Sequence, residues 1–77
     1  MPHVTVKMNS GRSAQQKAKL AEDIAKAVMT NANCGEESVS VSIEDIEPGD
    51  WVDAVYKPDI LGKWDKLFKK PGYDPLK

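Results

Sequence analysis

One cysteine, one histidine, one arginine and one phenylalanine are all that the 77 residues contain of each. A single cysteine, Cys34, excludes an intrachain disulfide. With one histidine, His3, there is no cluster of Cys and His at metal-ligand spacing, so no metal is expected. No Ser-His-Asp arrangement, phosphate-cradling glycine loop or paired-carboxylate motif is present, and no cofactor is expected. Charge of one sign is also missing: 11 basic residues stand against 12 acidic ones, a net charge of −1. That balance gives no electrostatic reason to expect nucleic acid. The one locally basic stretch, Lys63, Lys66, Lys69 and Lys70, reads as the solvated face of a helix. No apolar run approaches the roughly 18 residues of a membrane span. The start lacks a basic region followed by an apolar run, so no leader is expected. A cytoplasmic location follows as the expectation, and it suits a free thiol.

What the chain has is room for a single domain, 1–77. A chain this short buries only about 60% of its unfolded surface, and its core rarely supplies more than roughly 3–5 kcal/mol without a staple. With disulfide and metal excluded, oligomerisation is the expected source of stability.

From Pro2 to Met8 apolar and polar residues alternate. Val4, Val6 and Met8 share one face, and His3, Thr5 and Lys7 the other, as in a strand with one buried face. Asn9, Ser10 and Gly11 form a turn. Ser13 and Gln16 have the spacing of a capping box. Beyond them Ala14, Ala18, Ala21, Ala25, Val28 and Ala32, widened by Leu20, Ile24 and Met29, predict an amphipathic helix to about Asn31. Asn33, Cys34 and Gly35 end it. Ser38 to Ile46 alternates again, with Val39, Val41 and Ile43 opposite Ser40, Ser42 and Glu44. Strand, helix and strand in about 45 residues read as a right-handed β-α-β unit with parallel strands. The second faces of both strands are polar, so helices are expected on one side of the sheet only. Trp51 to Val55 is read as a short strand or hairpin arm after the turn at Glu47–Asp50. Pro58 is placed in the first turn of a last helix, with Ile60, Leu61, Trp64, Leu67 and Phe68 as its apolar stripe. Two strands leave two open edges. Pairing two chains into one four-stranded sheet would remove an edge from each.

Few residues are candidates for chemistry. If Met1 is removed, which a small second residue permits, Pro2 carries a secondary amine held by the strand that starts there. Burial or a neighbouring cation would lower its pKa toward neutrality and make it a general base. Arg12 precedes the Ser13 cap, where a cation opposes the helix macrodipole. Its fork suits a carboxylate held bidentately. Trp51, after a turn, reads as packing or as an apolar pocket wall. His3 reads as a residue of the sheet face.

These features coincide in one order. Pro2 opens a strand, the turn reads Gly11-Arg12-Ser13-Ala14-Gln15-Gln16-Lys17, a second strand begins Ser38-Val39, and an aromatic follows Pro48-Gly49. The chain resembles the 4-oxalocrotonate tautomerase family over nearly its whole length. The tail Lys69-Lys70-Pro71-Gly72-Tyr73 resembles the branch of similar length whose members are dimers. The resemblance implies an α/β (α+β) tautomerase-like fold: a parallel β-α-β unit plus a C-terminal helix, its four-stranded sheet completed across a homodimer. It implies a cofactor-independent isomerase acting on a small-molecule 2-oxo acid. Pro2 would be the general base, Arg12 would grip the substrate carboxylate, often from a neighbouring subunit, and Trp51 would line the pocket. The family's second arginine, on strand two, falls at Ser40. This departure disfavours a dicarboxylate and favours a phenylpyruvate-like monocarboxylate. Ser40, Lys7 or a backbone N–H would supply the missing donor. Lys7 and Glu44 would be costly to bury unpaired between stacked sheet faces, which favours a dimer over a hexamer. The alternative reading is a catalytically idle dimer of the same fold, serving as a binding module.

Overall fold

Strong alternation and a complete capping box make the first two thirds of the chain fold as the pattern dictates. The computed structural model describes all residues, Met1–Lys77. Strand β1 spans His3–Asn9, helix α1 spans Ala14–Ala32 and strand β2 spans Ser40–Ile46. The two strands pair in parallel, with His3 opposite Ser40, Thr5 opposite Ser42 and Lys7 opposite Glu44. The pairing extends one bond past each end: Ser40 N–H donates to the Pro2 carbonyl at 3.2 Å, and Ser10 N–H to the Ile46 carbonyl at 3.0 Å.

Helix α1 starts where its cap chemistry begins. Ser13 Oγ accepts from Gln16 N–H at 3.1 Å, and Gln16 Oε1 accepts from Ser13 N–H at 2.8 Å. Two otherwise orphaned donors are thereby satisfied reciprocally. It ends at Asn33, whose φ of 53° lies in the left-handed region. Asn tolerates that region better than most side chains. A short 3₁₀ turn, Glu36–Ser38, follows. Ser38 therefore belongs to a turn, its hydroxyl donating to the Gly35 carbonyl at 2.9 Å, and β2 begins two residues later than the pattern suggests.

The last third differs from expectation. Trp51 is helical, with φ −57° and ψ −47°, and continues from a 3₁₀ turn at Pro48–Asp50 into a helix at Val52–Ile60. No strand or hairpin arm forms at 51–55. Asp53 and Lys57, at helical spacing, stand 3.3 Å apart. Pro58 lies inside this helix rather than in its first turn. The helix is wound wide, in the π manner, which accommodates the N–H that proline lacks. A 3₁₀ segment, Leu61–Lys66, completes it. Lys69 and Lys70 fall beyond the segment, so the four lysines do not share one helical face. Lys70 instead places its ammonium 5.6 Å from the centre of the Trp64 ring.

The sheet is also covered on both faces. Val4 faces Ile24, Ala27 and Val28 of α1. On the other side Thr5, Lys7 and Glu44 face Trp51, Val55 and Asp59 of the C-terminal helix. The polar face is thus partly roofed, because an ion pair makes that roof possible: Lys7 Nζ lies 2.6 Å from the Asp59 carboxylate. The chain then folds back, and Tyr73 packs its ring 5.7 Å from that of Tyr56. Only Val55 and Tyr56 are fully buried, while Leu61, Trp64, Phe68 and Leu76 stay exposed. No helix is long and apolar enough to cross a membrane.

Candidate functional site

The head of β1 is the first part of the site. Pro2 is half-buried there and its carbonyl is tied to β2 by the Ser40 N–H. Its nitrogen is acylated by Met1, a residue wholly exposed to solvent. Ser40 is therefore the β2 residue whose backbone meets Pro2, and the register sets its side chain beside that of His3. Its Oγ lies 2.6 Å from His3 Nδ1. His3 Nε2 lies 3.3 Å from Thr5 Oγ1, and the Ser42 hydroxyl donates to Thr5 Oγ1 at 3.1 Å. Four side chains on the polar sheet face thus form one continuous line of hydrogen bonds.

The second part is a cleft of ≈ 590 Å³ under Trp51, where the C-terminal helix crosses the sheet. Thr5 is shared between the cleft and the line just described. The Trp51 indole N–H donates to the Tyr73 hydroxyl at 2.9 Å, so the tail fixes the orientation of the ring. On the cleft floor the Lys7 hydrogen bond to Asp59 holds the Asp59 carboxyl below its ordinary range, and the same bond raises the Lys7 ammonium above its own. Lys63, at 3.9 Å from Asp59, adds to the effect on the carboxyl. Burial, with the Asp74 carboxylate nearby, raises the Tyr56 phenol.

The Lys7–Asp59 pair has a testable consequence. A carboxyl with a lowered folded pKa stabilises the fold above its ordinary value and loses that contribution as pH falls through the lowered one. An ammonium with a raised folded pKa contributes fully below its ordinary value and loses it as pH rises through the raised one. Asp59→Asn is expected to lower the melting temperature by a few degrees at neutral pH, since both partners are about a third exposed. Its melting temperature should also fall less than the parent's between neutral and strongly acid pH. Thermal melts across pH check both statements.

Arg12 sits at the opposite end of β1. It follows Gly11, whose φ of 123° favours glycine, and its guanidinium donates to the Asn9 carbonyl at 3.1 Å. Seven residues of extended chain separate Pro2 from Asn9, about 23 Å at roughly 3.3 Å per residue. One chain therefore brings Pro2 and Ser40 together and holds Trp51 further along the same sheet. It keeps Arg12 at the far end of β1 from Pro2 and Ser40.

Local sequence does not reveal the pairing of His3 with Ser40 or the presence of Asp59 and Lys63 in the cleft. Alternation places His3 and Ser40 each on the polar face, and only the strand register makes them partners. Nothing local marks Asp59, because its partner Lys7 is 52 residues away.

Comparison with known proteins agrees with this fold. The family model described as tautomerase enzyme matches residues 2–55. A probable tautomerase of Xylella fastidiosa (strain 9a5c) is 41% identical over 76 residues, 99% of this chain and 93% of the relative. Tautomerase PptA of Pectobacterium carotovorum subsp. carotovorum (strain PC1) is 39% identical over 74 residues, 95% of this chain and 97% of its own. Among solved structures, YwhB, a homologue of 4-oxalocrotonate tautomerase, superposes with a TM-score of 0.58 at 41% identity, covering 60% of this chain and 75% of that one.

Proposed function

The chain belongs to the tautomerase enzyme family, and from that premise we propose that it interconverts the enol and keto forms of a small, phenylpyruvate-like 2-oxo acid with the amine of Pro2 as the base. The observation that carries this reading is the anchoring of residue 2: a backbone bond to Ser40 holds it at the head of a parallel strand pair. Met1 is fully exposed, so nothing in the fold shields it from an aminopeptidase. Its removal turns an amide nitrogen into a secondary amine with a free lone pair. In the enol-to-keto direction that nitrogen takes the enol hydroxyl proton. The oxygen lone pair forms C=O, and the C=C electrons accept the proton from the ammonium at carbon 3. Atoms and charge balance with no other reactant.

The remaining parts take roles that their positions support. Ser40, beside Pro2, supplies a hydroxyl donor where the family's second arginine is missing. Trp51 gives the substrate an apolar wall further along the same sheet face. Arg12 supplies the carboxylate grip from a second copy of the chain, since its own Pro2 is out of reach. A dimer with one four-stranded sheet also suits an isolated chain with two buried residues and an exposed Trp64 and Phe68.

The serine at position 40 also favours a second reading, an idle member of the family that binds without turnover. Two measurements separate them. Intact mass of the mature protein is expected to show Met1 absent. A halo-2-oxo acid is expected to alkylate Pro2 selectively and much faster than it alkylates a free prolyl peptide. Labelling at the peptide's rate supports the idle reading.

A further inference from the structure

We propose that His3 is a positioning residue that aims the Ser40 hydroxyl at the oxygen of the substrate's 2-oxo group; the proposal rests on the Pro2 reading above. The argument is a count of hydrogens along the line of side chains. Ser42 O–H donates to Thr5 Oγ1. The Thr5 hydroxyl hydrogen is then left for its other neighbour, His3 Nε2, at 3.3 Å. A neutral imidazole accepts at one nitrogen and donates at the other. With Nε2 accepting, the proton resides on Nδ1, which donates to Ser40 Oγ at 2.6 Å. Ser40 accepts that bond and keeps its own O–H free. Donors in a chain polarise one another, so the outward-facing Ser40 hydroxyl is a better donor than a solitary serine.

The placement suits the chemistry. The C-terminal helix crosses the polar face at Lys7, which it half-buries against Asp59, and His3 and Ser40 lie exposed toward the other end. That end is where the Ser40 backbone meets Pro2. In the enol-to-keto direction, charge collects on the oxygen as it loses its proton to Pro2. A donor fixed in advance at that oxygen stabilises the transition state more than the ground state. Of the three donors open at position 40, the structure favours the serine itself. Lys7 is engaged by Asp59 at 2.6 Å, and the Ser40 N–H is engaged by Pro2.

The test uses the mature protein and enol–keto turnover of phenylpyruvate. Ser40→Ala is expected to lower kcat by about 100-fold with KM little changed, the lower end of the cost of losing one oxyanion donor. His3→Ala is expected to lower kcat about tenfold, and the His3→Ala, Ser40→Ala pair to be no worse than Ser40→Ala alone. His3→Asn is expected to restore most of the loss, because its amide N–H can take the place of Nδ1–H. His3→Gln, which places its amide on the Nε2 side, is expected not to. In the unsubstituted protein, ¹⁵N NMR is expected to show His3 as the Nδ1–H tautomer, with Thr5→Val shifting the population toward Nε2–H. An Nε2–H tautomer in the parent, or losses that add in the double variant, overturns the proposal. If Pro2→Ala is impaired while Ser40→Ala and His3→Ala are silent, the role of His3 falls and the Pro2 reading stands. If Pro2→Ala is as active as the parent, both fall.

Discussion

Replacing Pro2 with alanine is expected to lower kcat/KM for enol–keto turnover by about 10²–10⁴-fold, the usual contribution of a positioned general base. Retaining Met1 is expected to remove the base-catalysed rate altogether. The difference between the two follows from the nitrogen. Alanine at position 2, once Met1 is removed, still offers an amine, but a primary one whose direction is not fixed by a ring. A retained Met1 leaves an amide, whose lone pair is delocalised into the carbonyl and takes no proton near neutrality. Neither change should disturb the fold. The Ser40 N–H bonds to the carbonyl of residue 2, which both variants keep, and Met1 touches solvent only. Stopped-flow turnover beside circular dichroism and intact mass checks the order: parent, then the alanine variant, then the Met1-bearing form. Equal rates in the parent and the Met1-bearing form would remove Pro2 from the mechanism.

The parts of this site differ in how far local sequence reveals them. Alternation over Val4, Val6 and Met8 and over Val41 and Ile43 is a period-2 signal with one solution. The Ser13–Gln16 box fixes the helix start to the residue. Both describe interactions within a few positions along the chain, where pattern and structure coincide. The C-terminal third has no such signal. Pro48 and Gly49 suggest a break, and Pro58 suggests a helix start, because local rules treat proline as a boundary. The break at Pro48 does occur, as a 3₁₀ turn after β2, but the chain goes on helically from there and runs through Pro58. It is held by contacts that arise only in three dimensions: Asp59 on Lys7, and Tyr73 on Trp51 and Tyr56. The polar face shows the same division. Its composition is evident from alternation, but the crossing of a helix near Lys7 depends on an ion pair between residues 7 and 59.

The separation of Arg12 from Pro2 leads to the second large effect. Arg12→Ala is expected to lower kcat/KM about 10- to 100-fold, since hydrogen bonds to a charged group are worth about 1.5–3 kcal/mol. Most of the loss should appear in KM, because the substrate carboxylate carries its charge in ground and transition states alike. A simple loss does not say whose arginine was lost. Mixing does. In a two-fold dimer each site takes Pro2 from one chain and Arg12 from the other. Random exchange between Pro2→Ala and Arg12→Ala chains makes half the dimers mixed. Each mixed dimer has one site with both lesions and one with neither, so about a quarter of all sites become intact. Activity should therefore rise on mixing from near the floor of either variant to about a quarter of the parent's. An arginine acting on the proline of its own chain leaves one lesion in every site of the mixture, and activity stays at the floor. The roughly 23 Å of strand between Pro2 and Asn9, whose carbonyl holds the Arg12 guanidinium, decides for recovery, because no rotamer of an arginine spans it.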